Sequence, residues 1–240
     1  MTQSTISVSV WRGAEQGRFV RYQVPHNENQ TVLDTVTWIQ RHADPSLSYR
    51  FACRVGMCGS CAMSVNGIPR WTCRTHLNKV LVNGALEVAP LANFQVIKDL
   101  AVDMTAFFDK MAKAQGVFRS GARPREDFAL VAPQSPQRRA ADAGIECIGC
   151  GVCHAACDIV SWNKDYLGPA ALNRAWTLVN DVRDGARAER LRAVSGDAGC
   201  HACHTQQGCV QHCPKHLNPT ASIAGLKRAV ALAAIKGERA

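Results

Sequence analysis

Residues 200–215 read CHACHTQQGCVQHCPK. Cys203, Cys209, Cys213 and Pro214 follow the spacing C-x2-C-x2-C-x3-C-P, except that Gln206 stands where the second cysteine belongs. Upstream, Cys147, Cys150, Cys153 and Cys157 make the same run complete. In paired runs of this kind the fourth cysteine of each run ligates the cluster of the other. Crossing the ligands gives Cys147, Cys150, Cys153 and Cys213 as a set of four, and Cys157, Cys203 and Cys209 as a set of three. A cubane with one corner unligated tends to lose that iron. The spacing therefore predicts one [4Fe–4S] and one [3Fe–4S] centre, with Gln206 as the missing corner. Cys200 lies outside the run, and the crossed pattern closes without it. It reads as a spectator thiol, the alternative being a ligand that reaches the vacant corner.

A third group lies nearer the N-terminus. Cys53-x4-Cys58-x2-Cys61 followed by Cys73 matches the plant-type [2Fe–2S] spacing. A tight loop supplies three thiolates and a neighbouring strand the fourth. Gly56 and Gly59 suit a loop that bends sharply and turns backbone N–H groups toward sulfur. A zinc site is the competing reading, but zinc sites usually pair two short C-x2–4-C knuckles.

All twelve cysteines fall in these three groups, and clustering of this sort points to metal rather than disulfides. The formal charge is +9, yet each cluster with its thiolates leaves about two negative charges, so three clusters bring the net to roughly +3. No nucleic-acid partner is expected, and the basic stretches at 119–125 and 186–192 read as solvated faces or a partner surface. Hydrophobic residues make up 47% of the 240-residue chain, enough for a packed core. No segment has the length and apolarity of a membrane span. The N-terminus lacks a basic flank and an apolar h-region, so the chain is expected to stay in the compartment where it is made.

Local patterns divide the chain in two. ISVSV at 6–10 and VRYQV at 20–24 alternate as half-buried strands. Thr31 and Asp34 mark a helix start, and Val32, Leu33, Val36, Ile39 and Ala43 recur at helical spacing. Asn66-Gly67 signals a hairpin before a strand that ends at Cys73, and LEVAPL at 86–91 is a further strand. From Val96 onward the pattern reads as helical, with Met104, Phe107, Phe108 and Met111 on one side. A connector at 116–136, an amphipathic helix carrying Leu172, Ala175, Trp176, Val179 and Val182, and an Ala-rich C-terminal helix complete the chain. The expected fold is an α+β domain over 1–97 followed by an all-α domain over 98–240. No nucleophile elbow, P-loop or dinucleotide fingerprint is present. A series of different clusters without a substrate motif describes a one-electron conduit, joining a two-electron donor such as a flavin to a second carrier.

CRVGMCGSC, PRWTC, VIKDLAVDM at 96–104, ECIGCGVC at 146–153, WNKDYLGPAAL at 162–172 and CVQHCPKHLNP at 209–219 together resemble, in order, segments of the iron–sulfur subunit of succinate dehydrogenase and fumarate reductase. The resemblance implies a plant-type ferredoxin (β-grasp) domain followed by a helical bacterial-ferredoxin-like domain. It implies a flavoprotein partner with covalent FAD that oxidises succinate or reduces fumarate, and a membrane anchor that binds quinone and often haem. The expected location is peripheral, on the cytoplasmic face of a prokaryotic inner membrane. His204 and Trp162 occupy positions that line the quinone site in this family, alongside the bland readings of a histidine near a cluster and a packing aromatic. Two departures stand out. Asp158 follows Cys157 where the family usually has proline, and HTQQG at 204–208 is more polar than the usual segment. A related dicarboxylate-oxidising complex, a free ferredoxin-like carrier and a zinc-stabilised scaffold remain the alternatives.

Overall fold

The computed structural model describes residues 4–121 and 129–237. The basic stretch 119–125 and the connector 116–136 therefore lie partly outside the described residues. The chain forms two compact units, Met1–Met104 with Ile148–Ala156, and Thr105–Cys147 with Cys157–Ala240.

The first unit is built on a five-stranded sheet. Strands β1 (Thr5–Arg12) and β2 (Arg18–Pro25) pair antiparallel, with Val10 opposite Val20. Ile6, Val8 and Val10 alternate into the core as the sequence requires. Helix α1 (Val32–Trp38) follows, opened by a capping box in which Thr31 Oγ1 accepts from Asp34 N and Asp34 accepts from Thr31 N. Val32, Val36 and Ile39 close over the sheet. Ala43, expected on the same face, is exposed because the helix widens into a π turn at Ile39–Ala43. One extra residue per turn rotates everything after Ile39 off the apolar stripe.

Strands β3 (Ala62–Val65) and β4 (Ile68–Trp71) form the expected hairpin, closed by Asn66 and Gly67 with φ of 50° and 76°. Strand β4 stops at Trp71, and Cys73 sits on the 3-10 turn Thr72–Arg74 that follows it. Strand β5 (Ala85–Ala89) joins β1 in parallel and β3 antiparallel, giving the order β2-β1-β5-β3-β4.

The helical reading from Val96 does not hold. Val96–Lys98 (β6) and Ala101–Val102 (β7) pair as a two-stranded ribbon, and the next helix begins only at Thr105. The cause is Asp99, which takes φ 54° and turns a buried carboxylate inward. That carboxylate accepts from Gly13 N at 2.8 Å, Ser48 N at 2.8 Å and Arg12 Nε at 3.1 Å. Arg12 also reaches Tyr22, Ser46 and Asp44. A periodic pattern cannot anticipate a turn that is specified by a distant guanidinium.

The second unit is helical among the described residues. Its helices are α2 (Thr105–Lys113), α3 (Pro136–Ile145), α5 (Asp158–Trp162), α6 (Pro169–Val179), α7 (Arg187–Val194), α8 (Gly208–Gln211) and α9 (Pro219–Ile235). The short helix α4 (Val152–Ala155) belongs to the first unit. Leu172, Ala175 and Val179 of α6 bury against Leu191, Val194, Ile223, Leu226 and Val230. Val182 falls beyond the end of α6 and is exposed. Ser222 Oγ donates to Asn173 Oδ1 at 2.9 Å, and Asn173 Nδ2 donates to Gly144 O at 3.3 Å, which pairs the buried side chains of Asn173 and Ser222 where α9, α6 and α3 meet.

The basic stretch 186–192 is not wholly solvated. Arg190 is fully buried and bonded to Asp184 at 2.6 Å and to Val117 O at 2.6 Å. Burial alone would raise the Asp184 carboxyl, but Arg190 and the N–H groups of Arg119 and Ala186 outweigh it and hold the group ionised.

Removing Asp99 takes one of two carboxylate partners from Arg12, whose side chain is 13% exposed, and leaves the N–H groups of Gly13 and Ser48 without their acceptor. Asp99→Ala is expected to cost about 3–5 kcal/mol, measured as a lower denaturation midpoint of the first unit. Acid acts on the same clasp. The Ser46 hydroxyl first, then Tyr22 and Arg12, outweigh burial and lower the Asp44 carboxyl from 3.8 to about 2. A carboxyl lowered by folding stabilises above its unfolded value, and that contribution disappears as pH falls through the folded one. Thermal stability is expected to drop between about pH 4 and pH 2, and less so in Asp44→Asn.

Candidate metal centre

The loop that leaves α1 carries three of the first four cysteines. Arg54, Gly56 and Gly59 take φ of 58°, 75° and 71°, so the chain coils tightly and turns its amides inward. Met57 N and Cys58 N each lie 3.3 Å from Cys53 Sγ, and Cys53 N lies 3.5 Å from Cys58 Sγ. Cys61 is buried at the loop's exit, and Cys73 N approaches its sulfur at 3.5 Å. The Ser60 hydroxyl first, then the Cys53 amide, lower the Cys58 thiol to about 6. Burial, then Cys61, pushes Cys73 up to about 12. Cys53 acts on Cys73 as well, so the four sulfurs form one electrostatic group.

Gly59 has a second role. A Cβ at this position would lie 2.8 Å from the Cα of Cys150 and nearer still to its Cβ. The first ligand loop thus lies in backbone contact with the second cysteine run. That run is held to the first unit by Val152, which packs with Ala62, Leu91 and Val102. Asn93 Nδ2 donates to the carbonyls of His154 and Ala155 at the end of α4.

In the second unit the remaining cysteines sort into neighbourhoods. Cys147 follows α3, and Cys213 follows α8. Their neighbours Glu146 and Lys215 form an ion pair at 3.2 Å. Cys157, Cys203 and Cys209 act on one another electrostatically, and all three act on Tyr166. Burial raises the Cys157 and Cys209 thiols, while Thr220 Oγ1, 3.4 Å from Cys209 Sγ, favours the thiolate. Gln206 is exposed, between Thr205 and Gln207 with φ of 61° and 65°. Cys200 is fully buried on the 3-10 turn Cys200–Ala202, inside the apolar core of the helices.

These sulfurs suit iron–sulfur clusters. They are gathered in buried or half-buried groups, where burial resists a bare thiolate at Cys73, Cys157 and Cys209 and metal would supply the compensating charge. Backbone amides and hydroxyls point at several of them, as second-shell donors should. Among the described residues no three His, Cys, Asp or Glu side chains are placed to hold a single metal ion. A cluster spreads its ligands over several irons and asks for a wider set.

Trp162 ends α5 with 69% of its surface exposed, and His204 is exposed in the loop after Cys203. No hydrogen bond or ring contact joins them among the described residues. Asp158 is the exposed first residue of α5. Tyr166 escapes a reading of cysteine spacing, although it lies within WNKDYLGPAAL at 162–172, just before Leu167-Gly168-Pro169, where α6 begins.

Two family descriptions match the chain, the 2Fe-2S iron-sulfur cluster binding domain over residues 6–109 and the 4Fe-4S dicluster domain over 146–218. Together with the cysteine groups they define an iron–sulfur electron-transfer protein. The fumarate reductase iron-sulfur subunit of Escherichia coli O6:H1 is 34% identical over 203 residues, 84% of this chain and 82% of that protein. The succinate dehydrogenase iron-sulfur subunit of Paracoccus denitrificans is 36% identical over 198 residues, 82% of this chain and 74% of that one. A chain of the Mycobacterium smegmatis Sdh1 complex in the apo form superposes with a TM-score of 0.84 at 26% identity, covering 96% of this chain and 97% of that chain. The chain belongs to the family of iron–sulfur subunits of succinate dehydrogenase and fumarate reductase, the electron-transfer subunits of those oxidoreductase complexes.

The contact at Gly59 yields a direct test. Gly59→Ala forces a left-handed backbone on a residue with a side chain, a strain of about 1–3 kcal/mol, and drives a methyl into Cys150. Iron content and the reduced [2Fe–2S] EPR signal are expected to fall together, whereas Gly67→Ala, which bears the same left-handed strain but places its Cβ in open space, should lose some stability and retain both.

Proposed function

We propose that this chain is the electron relay of a membrane-bound succinate dehydrogenase, carrying electrons from the FAD of a flavoprotein subunit to quinone at a membrane anchor. The observation that carries this reading is the backbone contact of Gly59 with Cys150, because electron transfer falls steeply with distance and here successive ligand groups touch. Cys53, Cys58, Cys61 and Cys73 would hold a [2Fe–2S] cluster. Cys147, Cys150, Cys153 and Cys213 would hold a [4Fe–4S] cluster, and Cys157, Cys203 and Cys209 a [3Fe–4S] cluster. When bound, these clusters supply a series of one-electron carriers of differing potential between two-electron partners.

The protein's own residues do the tuning and the shielding. Amides of the 53–61 loop stabilise negative sulfur, Ser60 and Thr220 add hydroxyl donors, and Ile159, Val160 and Leu172 exclude water around the three-cysteine group. The ion pair of Lys215 with Glu146 supports a shared role for Cys213 and Cys147, as crossed ligation requires. His204 and Trp162, exposed on the same unit as that group, are the proposed quinone-facing residues.

No helix of the described residues is long and apolar enough to cross a membrane, so attachment falls to anchor subunits, and haem, where present, to them as well. The proposed location is the cytoplasmic face of the inner membrane. Fumarate reductase is the second reading, since relatives of that name match about as well as the succinate dehydrogenases.

Low-temperature EPR of the air-oxidised complex tests the ligand sets. The expected result is an oxidised [3Fe–4S] signal that Gln206→Cys replaces by a [4Fe–4S] signature on reduction. Cys200→Ser should leave all three spectra unchanged. An air-oxidised protein silent in that region, or loss of a cluster in Cys200→Ser, would contradict the assignment.

A further inference from the structure

Helix α9 brings one hydroxyl to the three-cysteine group from outside the cysteine runs. Thr220 is the second residue of that helix, after Pro219, and its Oγ1 lies 3.4 Å from Cys209 Sγ. Several contacts hold the hydroxyl in place. Asn218 caps the helix, its side chain accepting from Ala221 N at 2.9 Å. Ser222 Oγ, donating to Asn173 Oδ1, ties the first turn of α9 to α6. Further along, Ile223 and Leu226 bury in the apolar cluster against which Cys157 and Cys203 also pack. Cys209 is itself buried and Thr220 half-buried, so the bond forms where few waters compete for the sulfur. The β-branch of threonine stiffens χ1 and keeps the hydroxyl from swinging freely.

We propose that Thr220 is a positioning residue of the three-cysteine centre, its hydroxyl donating to Cys209 Sγ and thereby raising that centre's reduction potential. The inference rests on the three-cysteine reading above. A thiolate that ligates iron carries no proton, so in this pair only the threonine can donate. The bond supports negative sulfur at a place where burial works against it. A donor to sulfur offsets negative charge, and one-electron reduction adds more of that charge to offset. The reduced state is therefore favoured over the oxidised one. Valine keeps the shape and branching of threonine without the donor, and serine keeps the donor without the methyl. Together the two substitutions separate the hydroxyl's electrostatic role from packing.

Redox-poised EPR of the purified, assembled complex tests it. In the wild type the oxidised [3Fe–4S] signal should titrate as a single one-electron step. Thr220→Val should move that midpoint to lower potential while the other two centres titrate unchanged. Thr220→Ser should hold it near the wild-type value. If the Val variant fails to assemble, Thr220→Ala, which also lacks the donor and suits a helix, takes its place. An unmoved midpoint in the donorless variant overturns the proposal, and so does an equal shift in the Ser variant. Absence of the signal in the wild type is a different failure, because it removes the three-cysteine centre and the threonine's role with it.

Discussion

The missing side chain at residue 59 is the constraint from which the rest follows. Only glycine adopts φ 71° without strain while leaving room for the backbone of Cys150. That contact fixes where the first sulfur group ends and where the second cysteine run begins. The sheet behind it, closed by α1 and locked by Arg12 on Asp99, exists in this sense to hold the loop steady. Burial of Val152 and the two bonds from Asn93 do the same for the run that meets it.

A second thread is the balance between burial and charge at sulfur. Burial works against thiolates at Cys73, Cys157 and Cys209, whereas donors work in their favour at Cys58 and Cys209. The groups therefore do not present equal environments. Unequal environments are what a relay of graded potentials needs, and they come from ordinary elements: the Ser60 hydroxyl and the Cys53 amide at Cys58, the Thr220 hydroxyl at Cys209. In the account proposed here the chain transforms no metabolite. It sets distances and potentials for partners that do.

Much of this was readable from residues alone. The alternation at Ile6, Val8 and Val10, the Thr31–Asp34 capping box and the Asn66-Gly67 turn are local signals, and each produced the element it announces. Cysteine spacing is also local and pointed to the class of protein. What escaped was set at a distance. The ribbon at 96–102 depends on Asp99 meeting Arg12, and the exposure of Ala43 depends on a π turn. The return of 148–156 to the first unit depends on an apolar seat formed by Ala62, Leu91 and Val102. Arg190, which reads as one more surface charge, is buried because Asp184 waits for it.

The central claim is that eleven sulfurs partition as four, four and three around clusters of different size. Iron and acid-labile sulfide, measured per chain on the anaerobically purified complex and corrected for haem iron, test it most directly. The account predicts about nine irons and about ten sulfides per chain. Six irons or fewer, or zinc in their place, would contradict it.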